Sequence, residues 1–182
     1  GRTFLGSTPE RLASMRGRAL RTMALAGTSP RGIDAAQDAA IGAALLASEK
    51  DREEHAVVAA MLRETLGPLV IELTLPRTPR VVRSARVHHL LSDASGTLRA
   101  GVGLLDVIQR LHPTPAVAGW PTEAAIELLD EESDLDRGWY AGPVGWLDRS
   151  GDGDFGVAIR SGVVRGGFAS LFAGCGIVAD SE

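Results

Sequence analysis

Apolar side chains recur at helical intervals in three parts of the chain. The stretch from Ile33 to Leu66 is rich in alanine and leucine, which favour helix. Its helically spaced apolar residues are Ile41, Leu45, Leu46, Val57, Val58, Met61 and Leu62. They fit one long helix, or two helices broken near Ser48. Shorter helices are predicted from Gly103 to Leu111 and, after a cap at Thr122, from residue 123 to about 132.

Short apolar runs bounded by turn residues predict strands elsewhere. Before the helices these runs are TFLGS and MALAGTSPRG, and the turn between them leaves Glu10 at a strand end. LVIELTL follows, then PRVVRSARVHHLL, which we expect to end at His88 and His89. Near the C-terminus, GPVGWLD and FGVAIRSGVV flank the turn RSGDGD, and ASLFAGCGIV is expected to form a third strand with a glycine-rich kink.

The segment LHPTPAVAGWP, residues 111 to 121, joins two predicted helices but should not be helical itself. Pro113, Pro115 and Pro121 fix their own φ and push the preceding residues toward extended geometry. Gly119 allows close approach to the backbone. An ordinary connector and a stiff functional loop are both consistent with this segment.

Composition indicates one globular domain that does not bind nucleic acid. The 182 residues are 45% hydrophobic and 23% charged, which suffices for a sizeable core. A net charge of -4 argues against nucleic acid, because phosphate binding needs a concentrated basic surface. The arginines between residues 11 and 21 are interrupted by apolar residues, so we interpret them as a solvated face.

A single cysteine, Cys175, excludes an internal disulfide framework and a cysteine-based zinc site. No apolar run approaches membrane-spanning length, and the N-terminus lacks a signal-peptide layout. We therefore expect a soluble, cytoplasmic protein without a membrane partner. The chain opens within an apparent strand and stops at VADSE, so we also expect both ends to be truncated.

Two acidic motifs could bind a cation. In DRSGDGDFGVAI the spacing of Asp148, Ser150 and Asp152 resembles a calcium loop, but Ile159 stands where a bidentate glutamate is needed, so a hairpin turn fits better. In KDREEH, residues 50 to 55, side chains four apart could simply support a helix surface. Alternatively, Glu54 could give one carboxylate to Mg²⁺, which takes few protein ligands.

Three further positions could bind an anion. Alternation along FGVAIR puts Arg160 on the apolar face of Ala158, where its guanidinium needs either a structural ion-pair partner or the carboxylate of a ligand. The glycines of AGCGIV could free backbone amides for an anion or form a plain bulge. The turn Ala26-Gly27-Thr28 allows the same two interpretations. Cys175 has apolar neighbours and is expected to be a packing residue.

Six motifs in this order resemble the chorismate-utilising enzymes, and most of all the isochorismate synthases. They are ALAGT, KDREEH, LHPTPAVAGWP, RGWYAGPVGW, GDGDFGVAIRSG and LFAGCGIV. The resemblance spans nearly the whole chain, and six motifs together are far more specific than any one. It implies an α+β fold of the anthranilate synthase component I type, with antiparallel sheets flanked by helices. Residues 1–182 would be most of one chorismate-binding catalytic domain.

The resemblance implies a Mg²⁺-dependent isomerase acting on chorismate, a small dicarboxylate. Water adds at one ring carbon as hydroxide leaves another, and the product is isochorismate. The glutamate of STPERL, Glu10, would protonate the leaving hydroxyl, and Glu54 would bind the metal. To give a proton at neutral pH, Glu10 would need a raised pKa, which burial could supply.

The same resemblance implies substrate-binding positions. Those near the ring carboxylate are Gly27 and Thr28, and those around the enolpyruvyl carboxylate are Tyr140, Arg160 and Gly174. His89 would line the same pocket. Ala116, which follows His-Pro-Thr-Pro, resembles isochorismate synthases more than salicylate, anthranilate or aminodeoxychorismate synthases. Cys175 within AGCGIV looks somewhat more like the menaquinone-pathway enzymes than the siderophore ones.

Some positions depart from the family pattern. Thr8 replaces the usual serine and Asp154 the usual glutamate. The family's water-activating lysine, its second magnesium glutamate and a substrate-facing lysine fall outside this chain. We therefore expect the 182 residues alone not to convert chorismate. A non-catalytic remnant or interaction domain of the same fold, with Glu10 and Glu54 as surface acids, is the alternative. The sequence does not indicate an oligomeric state.

Overall fold

The computed structural model describes residues 1–132 and 136–175. The strands are β1 (Arg2–Gly6), β2 (Arg11–Arg16), β3 (Ala19–Pro30), β4 (Val70–Thr74), β5 (Arg80–Arg83), β6 (Val87–Leu98), β7 (Pro143–Leu147), β8 (Gly153–Val157), β9 (Ser161–Arg165) and β10 (Phe168–Phe172). The helices are α1 (Ala35–Ala47), α2 (Glu49–Leu66), α3 (Leu104–Leu111), α4 (Pro115–Ala118) and α5 (Thr122–Glu132).

The strands form two antiparallel sheets. The larger sheet has seven strands in the order β4-β6-β3-β2-β8-β7, with β5 also paired to β6. The smaller sheet has the order β1-β9-β10. Because β8 and β9 are consecutive but belong to different sheets, the short connection between them brings the two sheets together. This connection carries Arg160.

The main core lies between the larger sheet and the helices. Burial along β3 alternates from residue to residue, so one face of the strand is covered and the other is more open. Helix α2 supplies an apolar stripe at helical spacing, which consists of Val58, Ala59, Leu62 and Leu66. Each fully buried leucine contributes about 2 kcal/mol to folding. No helix among the described residues is both long and apolar enough to cross a membrane.

Of the two possibilities left open by the sequence, one long helix or two helices broken near Ser48, the structure has the second. Ser48 has an extended backbone, and its amide donates to the carbonyl of Ala44 at the end of α1. Its hydroxyl accepts a hydrogen bond from the Asp51 amide, 3.3 Å away, at the start of α2. One serine therefore ends α1 and caps α2.

The proline-rich loop is partly helical, which corrects the prediction that it is not. Pro115 begins the four-residue helix α4 at the first helical position, where a missing amide hydrogen costs nothing. Gly119 ends this turn with a φ of 91°. Since prolines also flank α4, the helix cannot extend, and the segment remains a stiff connector.

Several predicted strand boundaries were wrong. Strand β2 was missed, because its buried residues, Leu12, Ala13 and Met15, lie between arginines and do not alternate strictly with exposed ones. The run PRVVRSARVHHLL contains two paired strands, and the second continues to Leu98. The run FGVAIRSGVV is divided between β8 and β9 rather than forming one strand. Strand β10 ends at Phe172, before the glycines, and residues 176–178 of ASLFAGCGIV lie outside the described residues.

Candidate active site

Three of the predicted site residues form one chain of polar contacts. Thr28 on β3 and His89 on β6 are directly paired across the sheet. The Thr28 hydroxyl lies 2.9 Å from His89 Nδ1, and Arg160 Nη2 lies 3.2 Å from His89 Nε2. His89 is only 5% exposed, so its ring is held between the two partners.

The contacts of His89 determine which of its nitrogens carries the proton. A guanidinium has only donors, so His89 Nε2 must accept from Arg160 and cannot itself be protonated. Nδ1 then carries the hydrogen and points toward Thr28 and the Gly27 carbonyl. Burial lowers the pKa of His89, and the positive charge of Arg160 lowers it further. His89 is therefore neutral at pH 7, and Arg160 carries the positive charge of the pair.

Arg160 lies at a bend and not on a strand face, which corrects the prediction that it shares a face with Ala158. Its φ is 51°, in the left-handed region that costs a non-glycine residue about 1 kcal/mol. No carboxylate among the described residues lies within ion-pair distance of it. The structural ion pair considered from the sequence is therefore not found there, and the guanidinium is left with donors for another anion.

Tyr140 and Gly174 lie next to each other, as their predicted shared role requires. A Cβ atom added to Gly174 would approach the Tyr140 hydroxyl to 2.7 Å, so a larger residue there would displace this hydroxyl. The Tyr140 ring stacks on Phe172, with centroids 5.4 Å apart. Phe172 pairs with Ser161, the residue after Arg160. Tyr140 and Arg160 are therefore held on neighbouring segments.

Glu10 is buried, with 8% of its surface exposed. Burial raises the pKa of Glu10 from 4.5 to about 7, the direction that a proton donor needs at neutral pH. The Thr114 hydroxyl opposes part of this rise, although it has no hydrogen bond of good geometry within the described structure. A carboxyl group of this kind is partly protonated at neutral pH and can act as an acid.

Backbone hydrogen bonds hold the segment that carries Glu10 beside the segment that carries Arg160. The Ser7 amide donates to the Arg160 carbonyl at 3.1 Å, and the Val157 amide donates to the Glu10 carbonyl at 3.1 Å. Gly156 lies against Glu10 as well, since a Cβ there would meet the Glu10 carbonyl at 3.0 Å. The residues that carry the acid and the guanidinium therefore lie on adjacent segments of the chain.

Gly27 connects the sheet with the helix that bears Glu54. It lies at a bulge in β3 with a φ of 76°, a conformation that favours glycine. An added Cβ would meet Asp51 Cβ at 3.1 Å, so the bulge packs directly on the first turn of α2. Glu54 lies three residues after Asp51 and therefore on the same helix face. Burial raises the pKa of Glu54, and the charge of Asp51 raises it further.

The donors at this end of α2 fit Mg²⁺. Asp51 and Glu54 are half-buried carboxylates whose charges repel each other, and a hard cation between them would relieve that repulsion. No group of three or more metal-binding side chains clusters among the described residues. Two carboxylates with the remaining positions taken by water and substrate match the ligation that Mg²⁺ favours. The alternative that side chains four apart in KDREEH support a helix surface does not hold for Asp51 and His55, because His55 is buried.

The remaining candidates are less closely tied to this site. Ala116 is exposed on α4, two residues from Thr114, and α4 packs against α2. Cys175 is exposed, so the prediction that it packs internally is wrong. Asp148 caps its own turn by accepting from the amides of Ser150 and Asp152, as expected for a hairpin.

Three clefts of about 410, 490 and 540 Å³ formed by described residues lie elsewhere, and none of the predicted site residues lines them.

Sequence reasoning missed two residues that the structure places at the site. Thr114 belongs to the His-Pro-Thr-Pro run, whose prolines indicate a stiff backbone but give no sign that the threonine hydroxyl has a role. Asp51 belongs to KDREEH, and its spacing of three from Glu54 was available as a signal that the two carboxylates share a face. Burial, which distinguishes both from surface residues, becomes visible only in the fold.

Residues 1–182 match the sequence profile of a family described as chorismate binding enzyme. The salicylate biosynthesis isochorismate synthase of Pseudomonas aeruginosa is 49% identical over 179 residues, which cover 98% of this chain and 38% of that protein. MenF, the menaquinone-specific isochorismate synthase of Escherichia coli, has a structure that matches with a TM-score of 0.91 at 35% identity, covering 100% of this chain and 42% of that chain.

Anthranilate synthase component I of Streptococcus pneumoniae has the same fold over this region. Its structure matches with a TM-score of 0.88 at 28% identity, covering 100% of this chain and 40% of that chain. The predicted fold, the anthranilate synthase component I type with antiparallel sheets and flanking helices, is therefore confirmed for the part present. The chain spans about two fifths of the length of each of these three proteins.

Proposed function

The chain belongs to the chorismate binding enzyme family, and we propose that it forms part of a magnesium-dependent isochorismate synthase. Such an isomerase adds water to one ring carbon of chorismate as hydroxide leaves another. The observation that carries this proposal is a buried acid, Glu10, on a segment that is hydrogen-bonded to the segment of Arg160, through Ser7 to Arg160 and through Glu10 to Val157. The Arg160 guanidinium has no carboxylate partner among the described residues. A dianionic substrate needs a cation to bind a carboxylate, and its poor leaving group, hydroxide, needs an acid to protonate it.

Glu10 is the general acid of the proposed reaction. Hydroxide leaves slowly unless it receives a proton as the bond to carbon breaks. A carboxyl group with a pKa of about 7 holds that proton near neutral pH and releases it readily. After the step Glu10 is a carboxylate, which solvent must protonate again before the next turnover. The base that takes a proton from the attacking water is not among the residues assigned here.

Arg160 holds a carboxylate of the substrate. His89 accepts from one of its nitrogens and so fixes the plane of the guanidinium, whose other N–H groups can then donate to two carboxylate oxygens. Tyr140 adds a hydroxyl, and Gly174 keeps the space beside that hydroxyl free of a side chain. Gly27 and Thr28 lie at the other end of the same polar chain and are assigned to the ring carboxylate. Ala116, exposed on α4, is assigned to the substrate-binding surface.

Glu54, supported by Asp51, is the proposed holder of Mg²⁺. When bound, the ion would supply positive charge that neutralises a substrate carboxylate. The chain's own contribution is a half-buried carboxylate on a capped helix end that packs against the Gly27 bulge. A cytoplasmic location fits this cofactor and substrate, and the single cysteine suits it.

Product analysis tests the proposal. The complete protein is incubated with chorismate, with and without Mg²⁺, and the products are separated by chromatography. We expect isochorismate, formed only when Mg²⁺ is present. Salicylate or anthranilate would assign the chain to another branch of the family, and unchanged chorismate would favour a non-catalytic domain.

Substitution of the acid tests its role in the same assay. Glu10→Gln keeps the shape of the side chain but cannot give a proton, so we expect kcat to fall at least about 100-fold. The KM for chorismate should change by less than about threefold. Glu53→Gln, an exposed change on α2, is the matched control and should retain full activity. Equal activity of Glu10→Gln and wild type would remove Glu10 from the mechanism.

A further inference from the structure

A buried ionic cluster lies at the end of β3, on the opposite face of β6 from His89. Asp38, in the first turn of α1, is 7% exposed. It accepts hydrogen bonds from Arg31 Nε at 2.6 Å and Nη2 at 2.9 Å, and from the Gly32 amide at 2.9 Å. It also accepts from His88 Nε2 at 2.8 Å. We call Arg31, Asp38 and His88 the β3 clamp.

The orientation of the His88 ring depends on Asp38. His88 is fully buried, and its second nitrogen, Nδ1, has no hydrogen-bond partner within the described structure. Gly42 of α1 lies against that side of the ring, since an added Cβ would be 3.9 Å from Nδ1. A carboxylate is an acceptor only, so His88 Nε2 donates. His88 and His89 are consecutive on a strand and therefore point to opposite faces.

The clamp acts where the ladder between β3 and β6 is short. The bulge at Gly27 shifts the register, and after it only Thr28, Ser29 and Pro30 pair with β6. Proline has no amide hydrogen to give to the ladder. Beyond it, the Arg31 amide donates to the Arg86 carbonyl at 3.2 Å. Thr28 therefore lies between a bulge and a strand end, and the clamp fixes that end.

The charges within the clamp favour its ionised form. Hydrogen bonds from Arg31, and then from the Gly32 amide, hold the pKa of Asp38 well below its usual range. Asp38 is thus a carboxylate at any pH at which the protein would act. Arg83 adds a weaker contact, with its Nε 3.5 Å from Asp38 Oδ2. A bidentate pair with two further donors has a defined geometry, unlike a single surface ion pair.

We propose that Asp38 is a positioning residue for substrate binding: through Arg31 and His88 it fixes the register of Thr28 and His89, and His89 in turn orients Arg160. Asp38 itself touches no substrate. This inference rests on the proposed function for its kinetic readout, but the geometry of His89 can be measured without turnover.

The kinetic test is Asp38→Asn in the complete protein. The amide keeps the shape but loses the charge and one acceptor, so the register of Thr28 and His89 should loosen. If Arg160 binds the carboxylate equally in the ground state and the transition state, KM for chorismate should rise about tenfold while kcat changes less than about threefold. A lower apparent kcat with unchanged KM would indicate only a loss of folded protein and would overturn the proposal.

Three further variants distinguish the effect of the clamp on KM from a general effect of substitution. Asp93→Asn removes the exposed ion pair between Arg80 and Asp93 on β5 and β6, and it should leave KM unchanged. His88→Gln can still donate to Asp38 and should keep KM within about threefold of wild type. His88→Ala cannot donate and should raise KM as Asp38→Asn does. Equal KM values for Gln and Ala at this position would contradict the proposal.

Nitrogen NMR of selectively labelled histidine supplies the readout that does not need activity. In wild type, His89 should show one tautomer, protonated at Nδ1. In Asp38→Asn its signals should broaden or report a tautomer mixture. If the complete protein fails to convert chorismate, the proposed function fails, yet this spectrum still decides whether the clamp acts on His89. Identical His89 signals in the two proteins would overturn the proposal.

Discussion

Glu10 and Arg160 both occupy positions that cost the fold free energy. Glu10 is a carboxyl group in a site that disfavours its charged form. Arg160 holds a left-handed backbone conformation that glycine would adopt without strain. A fold selected for stability alone would need neither feature. An apolar side chain in place of Glu10, or a glycine in place of Arg160, would make the folded state more stable. Unfavourable residues on segments that are hydrogen-bonded to each other are typical of functional sites.

The raised pKa of Glu10 predicts a pH-dependent loss of stability. In the unfolded chain Glu10 ionises near pH 4.5, whereas in the fold it stays protonated to about pH 7. As pH rises through that interval the unfolded state is favoured, by up to about 3 kcal/mol. Glu10→Gln cannot ionise, so it should be more stable than wild type at pH 8 by up to that amount.

Urea unfolding at pH 4.5 and pH 8 measures this difference. The Glu10→Gln variant should also lose the part of the pH dependence between pH 4.5 and 7. Glu53→Gln, at an exposed position, should follow wild type. A Glu10→Gln protein that is no more stable than wild type at pH 8 would contradict a raised pKa of Glu10 in the fold.

Arg160 allows strain and binding to be separated. Arg160→Gly and Arg160→Ala both remove the guanidinium, so each should raise KM for chorismate about 10- to 100-fold. Only glycine also relieves the left-handed conformation, so Arg160→Gly should be more stable than Arg160→Ala by about 1 kcal/mol. Thermal unfolding together with steady-state kinetics measures both effects. Unchanged KM in the two variants would exclude Arg160 from substrate binding.

At the scale of elements, the position of Glu54 depends on how α2 begins. The Ser48 hydroxyl caps α2, and the first turn that it stabilises carries Asp51. Ser48→Ala should lose about 1 kcal/mol of stability and let this turn fray. We expect the Mg²⁺ concentration for half-maximal activity to rise several-fold, because both carboxylates lie at that end.

Loss of the other helix cap serves as the control. The Asp34 side chain accepts from the Gln37 amide at 2.8 Å and caps α1. Asp34→Ala should lose a similar amount of stability without changing the Mg²⁺ titration. If the two variants shift the titration equally, the effect of Ser48→Ala arises from lost stability and not from the carboxylates on α2.

Elements with a local signal were predictable from the sequence. The hairpin of β7 and β8 follows from turn residues close in sequence, and helical spacing marked residues 33 to 66 as helical while leaving open whether the helix breaks near Ser48. The division of β8 from β9 does not follow from a local signal, because it depends on the backbone of one arginine and on pairing with the distant strand β1. Strand β2 was missed because its sequence does not alternate: Leu12 and Ala13 are both buried, and arginines stand at both ends of the strand.

The site was predictable only through the resemblance of its motifs. Glu54 alone in KDREEH is indistinguishable from an ordinary surface glutamate. Asp38 illustrates the limit more clearly: an acid in the first turn of a helix is common, and nothing in its neighbours shows that it is buried against His88. Burial of a polar residue depends on contacts between segments far apart in the chain.

For the whole molecule, the central claim is that Glu10, Glu54 and Arg160 act on one small dicarboxylate. The most direct measurement is a crystal structure of the complete protein with Mg²⁺ and isochorismate. We predict that the Arg160 guanidinium contacts one carboxylate, that Glu10 lies within hydrogen-bond distance of a ring hydroxyl, and that Mg²⁺ is bound to Glu54. A ligand bound elsewhere, or these three side chains around no shared cavity, would contradict the account.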